Sequence, residues 1–290
     1  MREKTCFSLE YVPLLIRLRC LEEARLPDYL GSMLHGIMGW ALKGDEEVYR
    51  YIYENRRMEE GFDIVNPYVI DPPQWHGVYR RGDILQFQFL LLGDAASYAE
   101  RVCRSLAAFG IFQLGAGRKN FELVEILHGR ELYPLWNKSM QSSRNAAASV
   151  LENRTRGGCR NCSIQLLTPL RIRRGGALVE DVSFPTIVRN ITRRIDQLTQ
   201  RYGGFMDREA AQMACKEAEA VVRTSSGLSV MELKRYSNRR KSKTDLSGLL
   251  GAMTFCGELD QFTPWLSAAR VLHIGRNATF GCGKMDVLFW

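Results

Sequence analysis

The sequence contains no apolar segment long enough to cross a membrane. A transmembrane helix needs about 20 predominantly apolar residues, and every apolar run in this 290-residue chain is shorter. Residues 1–10 carry charges and lack the apolar centre of a signal peptide. These absences predict a cytoplasmic protein with no membrane partner.

The sequence also lacks the motifs of nucleotide-binding enzymes. No Gly-Lys-Ser/Thr opens a helix, and no strand-turn-helix unit carries a dinucleotide fingerprint. The eight cysteines are scattered, which is typical of reduced thiols. One close pair, Cys159 and Cys162, falls short of the four ligands of a structural zinc site. We therefore expect neither a metal nor another cofactor.

Basic residues are in moderate excess, with 40 Lys and Arg against 32 Asp and Glu and a formal net charge of +8. Their distribution is more informative than their sum, because 154–174 and 234–243 are almost free of acids. Clustered cations are typical of proteins that bind a phosphate backbone. A solvated face or loop would have the same composition, so that alternative stays open.

Hydrophobic periodicity predicts the order β-α-β-β-α-β in the first half of the chain. Residues 13–21 alternate as a strand, and apolar residues at helical spacing follow Pro27 and end at Gly44. A short helix is predicted over 46–58 and a longer one over 95–109. Strands are predicted over 62–70, 83–92 and 121–128, and 67–73 is interpreted as a loop.

The second half repeats this order. Strands are predicted over 163–173, 228–237 and 249–256 and at the C-terminus, with helices over 184–202 and 264–269. A helix over 207–222 is interpreted as an insertion. The strand order is that of the ferredoxin-like fold. We therefore predict an α+β protein of two tandem ferredoxin-like (βαββαβ, RRM-like) domains, 1–138 and 161–290, joined by a basic linker, 139–160.

Each half has a Gly-X-Gly-basic loop before its final strand, Gly115–Arg118 in the first and Gly281–Lys284 in the second. Glycine permits positive φ and close backbone approach, and consecutive amides in such a turn can form an anion-binding concavity. The loops therefore predict contact with an RNA backbone or a neighbouring domain. A plain structural turn is the alternative.

Several segments resemble a known family. The first predicted helix reads Leu26-Pro27-Asp28-Tyr29-Leu30-Gly31-Ser32-Met33-Leu34-His35-Gly36, which resembles the first helix of CRISPR-associated RAMP (repeat-associated mysterious) proteins. The C-terminal segment from His273 to Lys284 has Gly275, Gly281 and Gly283 at the spacing of their glycine-rich loop. Residues 168–170 and 236–248 are similar to the branch that processes precursor crRNA.

This resemblance implies a metal-independent endoribonuclease that cuts CRISPR repeat RNA and leaves a 2′,3′-cyclic phosphate and a 5′-hydroxyl. It also implies that the crRNA product is retained for an effector complex with other CRISPR-associated subunits. Many relatives carry a four-cysteine cluster after the first helix, whereas 45–58 has no cysteine here. The alternative is a RAMP subunit that binds crRNA as a scaffold without cutting it.

Histidine is scarce, with four in the chain. Metal-free RNA cleavage requires the 2′-hydroxyl to lose a proton and the leaving 5′-oxygen to gain one, and an imidazole with a pKa of about 6.5 suits either transfer. His76 falls in a Pro-Trp loop, His128 at a strand end where we expect it on the surface, and His273 in a short apolar run. His35 is left as the candidate catalytic residue.

His35 falls on the flank of the apolar stripe of its helix, with Gly31 and Gly39 one turn either side. Two helical glycines cost about 1 kcal/mol each relative to alanine, so we expect a neighbouring element or RNA to come close there. The family's catalytic histidine also lies in or just before this helix, although relatives often have arginine at this register. A boundary histidine bonded to a carbonyl is the alternative. Tyr29 could donate a proton or orient the base, or simply pack.

The candidate RNA-binding residues come from three places. The first is the densest basic segment, 234–243, which includes one tyrosine that could stack on a base. The second is a set of three arginines opposite the apolar face of the 184–202 helix. The third is a pair of cations in the second glycine loop. These residues are Lys234, Arg235, Tyr236, Arg239, Arg240, Lys241, Lys243, Arg189, Arg193, Arg194, Arg276 and Lys284.

Overall fold

A computed structural model describes residues 5–54, 65–73, 76–139, 146–151, 153–237 and 242–290. The chain forms two compact units. One is Glu10–Val150, and the other is Leu151–Trp290 together with the N-terminal residues through Leu9. These bounds differ from the division predicted from the sequence, which assigned 1–138 to one domain and 139–160 to a linker.

The secondary structure follows in chain order. The described strands are β1 (Phe7–Ser8), β2 (Glu10–Cys20), β3 (Ala24–Arg25), β4 (Tyr68–Asp71), β5 (Val78–Tyr79), β6 (Ile84–Leu92), β7 (Ile111–Leu114), β8 (Lys119–His128), β9 (Pro134–Asn137), β10 (Ser149–Val150), β11 (Asn161–Leu170), β12 (Arg173–Arg174), β13 (Ala177–Leu178), β14 (Phe205–Met206), β15 (Val222–Met231), β16 (Lys234–Ser237), β17 (Ser242–Asp245), β18 (Gly248–Cys256) and β19 (Met285–Phe289). The described α-helices are α1 (Gly31–Leu42), α2 (Glu46–Tyr53), α3 (Ala99–Phe109), α4 (Phe184–Tyr202), α5 (Arg208–Glu217) and α6 (Thr263–Leu272).

The unit Glu10–Val150 has an antiparallel sheet in the order β4-β6-β2-β8-β7, with β9 paired to β8 and β10 to β2. The four principal strands in chain order are β2, β4, β6 and β8, separated by α1 and α3 in the βαββαβ pattern. In space the second lies beside the third, then the first, then the fourth. This arrangement confirms the predicted ferredoxin-like fold.

The core of this unit forms because β2 and α1 present apolar residues at their own periods. Leu14, Ile16 and Leu18 alternate along β2 and are fully buried. Leu34 and Met38, one helical turn apart on α1, are fully buried in the same core. This packing fixes which side of α1 faces the sheet and therefore where its flank residues lie.

The second unit has a four-stranded sheet in the order β15-β18-β11-β19. Here too the order of the principal strands across the sheet is second, third, first, fourth, and α4 and α6 are the connecting helices. Ile187, Ile191 and Ile195 of α4 are fully buried, so the predicted inner face of this helix is confirmed. The β14–α5 segment and the β16–β17 hairpin are insertions into the βαββαβ order.

The predicted loop over 67–73 is wrong, because Tyr68–Asp71 forms β4 and pairs with β6. Pro67 and Pro72 lie outside the strand, where they do not remove a ladder hydrogen bond. The predicted strand 228–237 is two strands, because Leu233 N–H donates to Ser247 Oγ (2.9 Å) between β15 and β16.

The two glycine loops differ in local structure. Gly115–Arg118 is a hairpin turn between β7 and β8, with Arg118 N–H donating to Gly115 O (3.2 Å). The sequence missed β7. Gly281–Lys284 instead follows α6 and a single 3-10 turn, Ala278–Phe280. Within the residues described, no helix combines the length and apolar character needed to cross a bilayer.

Candidate active site and RNA-binding surface

His35 lies near the middle of α1, on the edge of its buried face. Leu34 and Met38 are buried in the core beside it, and His35 itself is half-buried. The apolar residues of α1 therefore set the rotation of the helix. His35 is left at the boundary between core and solvent, where an imidazole can have both fixed partners and access.

Two tyrosines that the sequence did not single out hold His35. The Tyr68 hydroxyl lies 3.0 Å from His35 Nδ1, and the Tyr53 hydroxyl donates to the His35 backbone carbonyl at 2.9 Å. Tyr53 is the last residue of α2, and Tyr68 is the first of β4. Side chain and backbone of His35 are thus tied to two different elements.

The rings form a continuous aromatic wall. Ring centroids are 5.2 Å apart for His35 and Tyr53, 5.0 Å for Tyr53 and Tyr68, and 5.1 Å for Tyr68 and Phe89. Burial, together with the neighbouring Tyr68, raises the pKa of Tyr53 well above its ordinary value. Tyr53 therefore stays a neutral hydrogen-bond donor at physiological pH.

The structure explains why a glycine is kept at position 39 of α1 despite its low helix propensity. A Cβ at this position would lie 2.9 Å from Tyr53 Cε1, closer than side chains normally pack. A neighbouring element therefore does come close to α1, as predicted. That element is α2, through the ring of its last residue, Tyr53. At Gly36, on the same helix, a Cβ would have no heavy atom within 4 Å.

We expect Gly39→Ala to destabilise the protein by about 1–3 kcal/mol, because overpacking against the Tyr53 ring outweighs the gain in helix propensity. The matched change Gly36→Ala should stabilise it by up to about 1 kcal/mol, since it gains propensity without a clash. Urea unfolding followed by circular dichroism measures both. Equal stability of the two variants would contradict the tight contact.

The other histidines have different environments. His128 is fully buried rather than on the surface as predicted: Nδ1 accepts from Glu131 N–H (3.2 Å), and Nε2 lies 3.1 Å from Ala147 O. His273 is also buried, and burial, followed by the nearby cations, lowers its pKa to about 3. His76 is exposed and packs edge-on against a tyrosine.

Two further residues lie at the two ends of α1, the candidate Tyr29 and Lys43. Tyr29 precedes the helix and is 7% exposed, a burial typical of a packing residue. Lys43 follows the helix, and its Nζ lies 4.0 Å from the centroid of the Trp40 ring in a cation–π contact. Trp40 is 65% exposed, so this pair lies at the surface.

The second glycine loop is packed against the end of β11. A Cβ on Gly283 would lie 1.8 Å from Ile274 O, and one on Gly275 would lie 2.6 Å from Arg171 O. Both residues have φ of +76°, which favours glycine. Two independent requirements, conformation and space, therefore demand glycine at these positions.

The amides of this loop are used within the protein. Gly281 N–H donates to Ala278 O (2.9 Å), Cys282 to Asn277 O (3.2 Å), Gly283 to Pro169 O (3.0 Å), and Lys284 to Thr168 Oγ1 (2.8 Å). The backbone of Gly281–Lys284 therefore does not offer an open nest of amides to a phosphate. Any RNA contact from the loop would come from its side chains.

Arg171 is a structural residue that the sequence did not single out. Its side chain is 4% exposed; Nε donates to Asn277 Oδ1 (3.2 Å), another nitrogen donates to Ser247 O, and a third lies 3.6 Å from Asp245. It thus links the glycine loop to the base of the β16–β17 hairpin. Its signal in the sequence was only a position in a basic run.

The predicted arginines of α4 separate into two kinds. Arg189 and Arg193 are exposed, and Arg189 forms an ion pair with Glu219 (2.5 Å). Arg194 differs from the expectation, because its Nε donates to Leu272 O (2.7 Å) at the end of α6. Burial lowers the pKa of Arg194 to about 10. We therefore leave Arg194 out of the proposed phosphate contacts.

The remaining basic candidates lie on the glycine loop and the hairpin. Arg276 is exposed and Lys284 is half-buried. In the β16–β17 hairpin the backbone register places Lys234 opposite Asp245, Arg235 opposite Thr244, and Tyr236 opposite Lys243. Arg239, Arg240 and Lys241 lie outside the described residues. Among the residues the structure does describe, no three His, Cys, Asp or Glu side chains form a group that could hold a metal ion.

Comparison with known proteins supports the family resemblance. Residues 9–148 match the model of an N-terminal domain, AF_1859_N, and residues 164–285 match that of the CRISPR-associated endoribonuclease Cas6. This second segment is therefore similar to the Cas6 family. The family resemblance predicted from the sequence is confirmed. No curated protein sequence matches the chain.

Solved structures similar to this chain share its fold. A Thermus thermophilus Cas6 in a product complex has 16% identity and a TM-score of 0.66, covering 96% of this chain and all of that one. A second Cas6 product complex has 20% identity and a TM-score of 0.58, covering 97% and 99%. A RAMP protein that binds different RNA substrates has 9% identity and a TM-score of 0.52, covering 96% and 99%.

Proposed function

We propose that this chain binds CRISPR repeat RNA and cleaves precursor crRNA by attack of a 2′-hydroxyl on the adjacent phosphate, without a metal. His35 is the general acid or base. The observation that carries this assignment is the environment of His35, a half-buried imidazole whose ring is oriented by the Tyr68 hydroxyl at 3.0 Å. The match of residues 164–285 to the model of an endoribonuclease family supports it.

The reaction forms a bond between the 2′-oxygen and phosphorus and breaks the bond from phosphorus to the 5′-oxygen. The 2′-hydroxyl loses a proton, and the leaving 5′-oxygen gains one. The products are therefore a 2′,3′-cyclic phosphate and a 5′-hydroxyl. One imidazole at the scissile phosphate can take the first proton or supply the second, and such transfer contributes about 10²–10⁴-fold to a rate.

RNA binding is proposed for exposed cations of the second unit. Arg189, Arg193 and Arg276 are exposed, and Lys284 lies on the same glycine loop as Arg276. The β16–β17 hairpin adds a basic segment with Tyr236 for stacking. A-form RNA is recognised mainly through its phosphates and shape, which such cations can contact. Other CRISPR-associated subunits are proposed partners of the bound crRNA.

The test is cleavage of precursor crRNA transcribed from the CRISPR array of the source organism, in excess EDTA. We expect the rate in EDTA to stay within about twofold of that with Mg²⁺, because the chemistry is assigned to side chains. A matched RNA with a 2′-deoxy nucleotide at the cut site should bind but remain intact. Product ends are identified by mass spectrometry.

Cleavage that needs a metal, or that proceeds on the 2′-deoxy RNA, would contradict the proposed mechanism. Retained RNA binding with no cleavage under any condition would instead favour the second candidate, a RAMP scaffold that holds crRNA without cutting it.

A further inference from the structure

We propose that Tyr68 is a positioning residue for His35: its phenol oxygen accepts the Nδ1–H hydrogen, so that Nε2 is the atom that exchanges a proton with RNA. This inference rests on the proposed function and deepens it. It concerns a residue that does not touch the reacting atoms and acts only through the imidazole.

Tyr68 has no freedom to move away from His35. Its side chain is 1% exposed and lies between Tyr53 and Phe89, with ring centroids 5.0 and 5.1 Å away. Its backbone pairs with Leu91 in the sheet. The hydroxyl is therefore held at a fixed point 3.0 Å from His35 Nδ1, out of reach of bulk water.

The direction of the bond follows from the chemistry required of the imidazole. A neutral imidazole that accepts a proton at Nε2 must carry its hydrogen on Nδ1, and a phenol oxygen can accept that hydrogen. The Tyr53 hydroxyl, which donates to the His35 carbonyl at 2.9 Å, fixes the backbone of the same residue.

The contact between Tyr68 and His35 Nδ1 suits general acid–base chemistry. With the hydrogen on Nδ1, the neutral imidazole carries its lone pair on Nε2 and can accept a proton there. After it does so, Nδ1–H still donates to Tyr68, so the same hydrogen bond serves both protonation states. A hydrogen-bond partner at one ring nitrogen fixes the tautomer and orientation of a functional histidine in this way.

The test compares Tyr68→Phe with Tyr49→Phe, which removes a phenol from the same aromatic cluster; the Tyr49 ring stacks on Tyr53 at 5.8 Å. Nitrogen-15 NMR of labelled histidine reports the His35 tautomer in the RNA-free protein. We expect the wild type and Tyr49→Phe to carry the hydrogen on Nδ1, and Tyr68→Phe to shift toward Nε2–H.

Single-turnover cleavage by Tyr68→Phe should fall at least about tenfold, because loss of an orienting partner costs between about 10-fold and 10⁴-fold in comparable sites. RNA affinity should stay within about twofold, a result that general misfolding would not give. Tyr53→Phe, which keeps Tyr68, is the second variant. It should keep the hydrogen on Nδ1, because the contact between Tyr68 and His35 remains. A wild-type His35 that carries its hydrogen on Nε2 would contradict the inference even if Tyr68→Phe proves unstable.

Two failures are distinguishable. If the wild type cleaves RNA and Tyr68→Phe changes neither tautomer nor rate, the positioning inference is wrong and the proposed function stands. If the wild type does not cleave while Tyr68→Phe still shifts the tautomer, the proposed function is wrong, and with it the catalytic purpose of the hydrogen bond.

Discussion

Replacing His35 by alanine is expected to slow single-turnover cleavage of precursor crRNA by about 10²–10⁴-fold, the contribution typical of one positioned acid or base. The loss should appear in the rate of the chemical step and leave RNA affinity within about twofold, because phosphate contacts are assigned to the second unit. The direct contact between the Tyr53 and Tyr68 rings remains when the imidazole is removed, so the fold should survive the change.

His76→Ala is the matched control. His76 is exposed and makes an edge-on ring contact with Tyr79, so its removal takes away an imidazole without disturbing the α1 site. It should cleave at the wild-type rate. Equal rates for His35→Ala and wild type would remove His35 from the mechanism, and a loss in His76→Ala would move the candidate to that loop.

Gly283→Ala is expected to destabilise the second unit by about 3–5 kcal/mol. Positive φ costs a residue with a Cβ about 1–2 kcal/mol. The Cβ would also lie 1.8 Å from Ile274 O, so the loop must move. Moving it breaks the bonds from Ile274 N–H to Gly283 O and from Gly283 N–H to Pro169 O, each worth about 1 kcal/mol.

Gly176→Ala separates the two causes. Gly176 also has positive φ, +86°, but a Cβ there would have no heavy atom within 4 Å. It should cost only the conformational part, about 1–2 kcal/mol. Urea unfolding measures the totals, and hydrogen exchange of peptides covering 271–290 localises the effect. A Gly283→Ala variant no less stable than Gly176→Ala would contradict the crowded loop.

Elements whose signal is local were predictable. Helix α4 was predicted with the bounds it has, Phe184–Tyr202, because its apolar residues recur with the helical period over five turns and a glycine follows. β4 was predicted only in part: the strand predicted over 62–70 overlaps it, but two flanking prolines in a short apolar segment indicated a loop over 67–73. Its strand state comes from burial of Tyr68 and Ile70 against the sheet.

The candidate site shows the same division. His35 could be found from its helix and from the scarcity of histidine, and Gly39 indicated that something approached. Neither could identify Tyr53 or Tyr68, since the hydrogen bond to Tyr68 spans 33 residues and forms only because β4 runs beside α1. The prediction for His128 was wrong because its carbonyl partner, Ala147, lies 19 residues further along the chain and is brought to it only by folding.

The sequence by itself determined the βαββαβ order of each half and the family resemblance, because hydrophobic periodicity and motif spacing are properties of short segments. Only the tertiary structure decided that the amides of the second glycine loop donate hydrogen bonds within the protein. It also decided that Arg171 and Arg194 donate to groups of other segments instead of facing solvent. It also decided which hydroxyl orients His35. These are hydrogen bonds between distant segments, and their partners are set by packing.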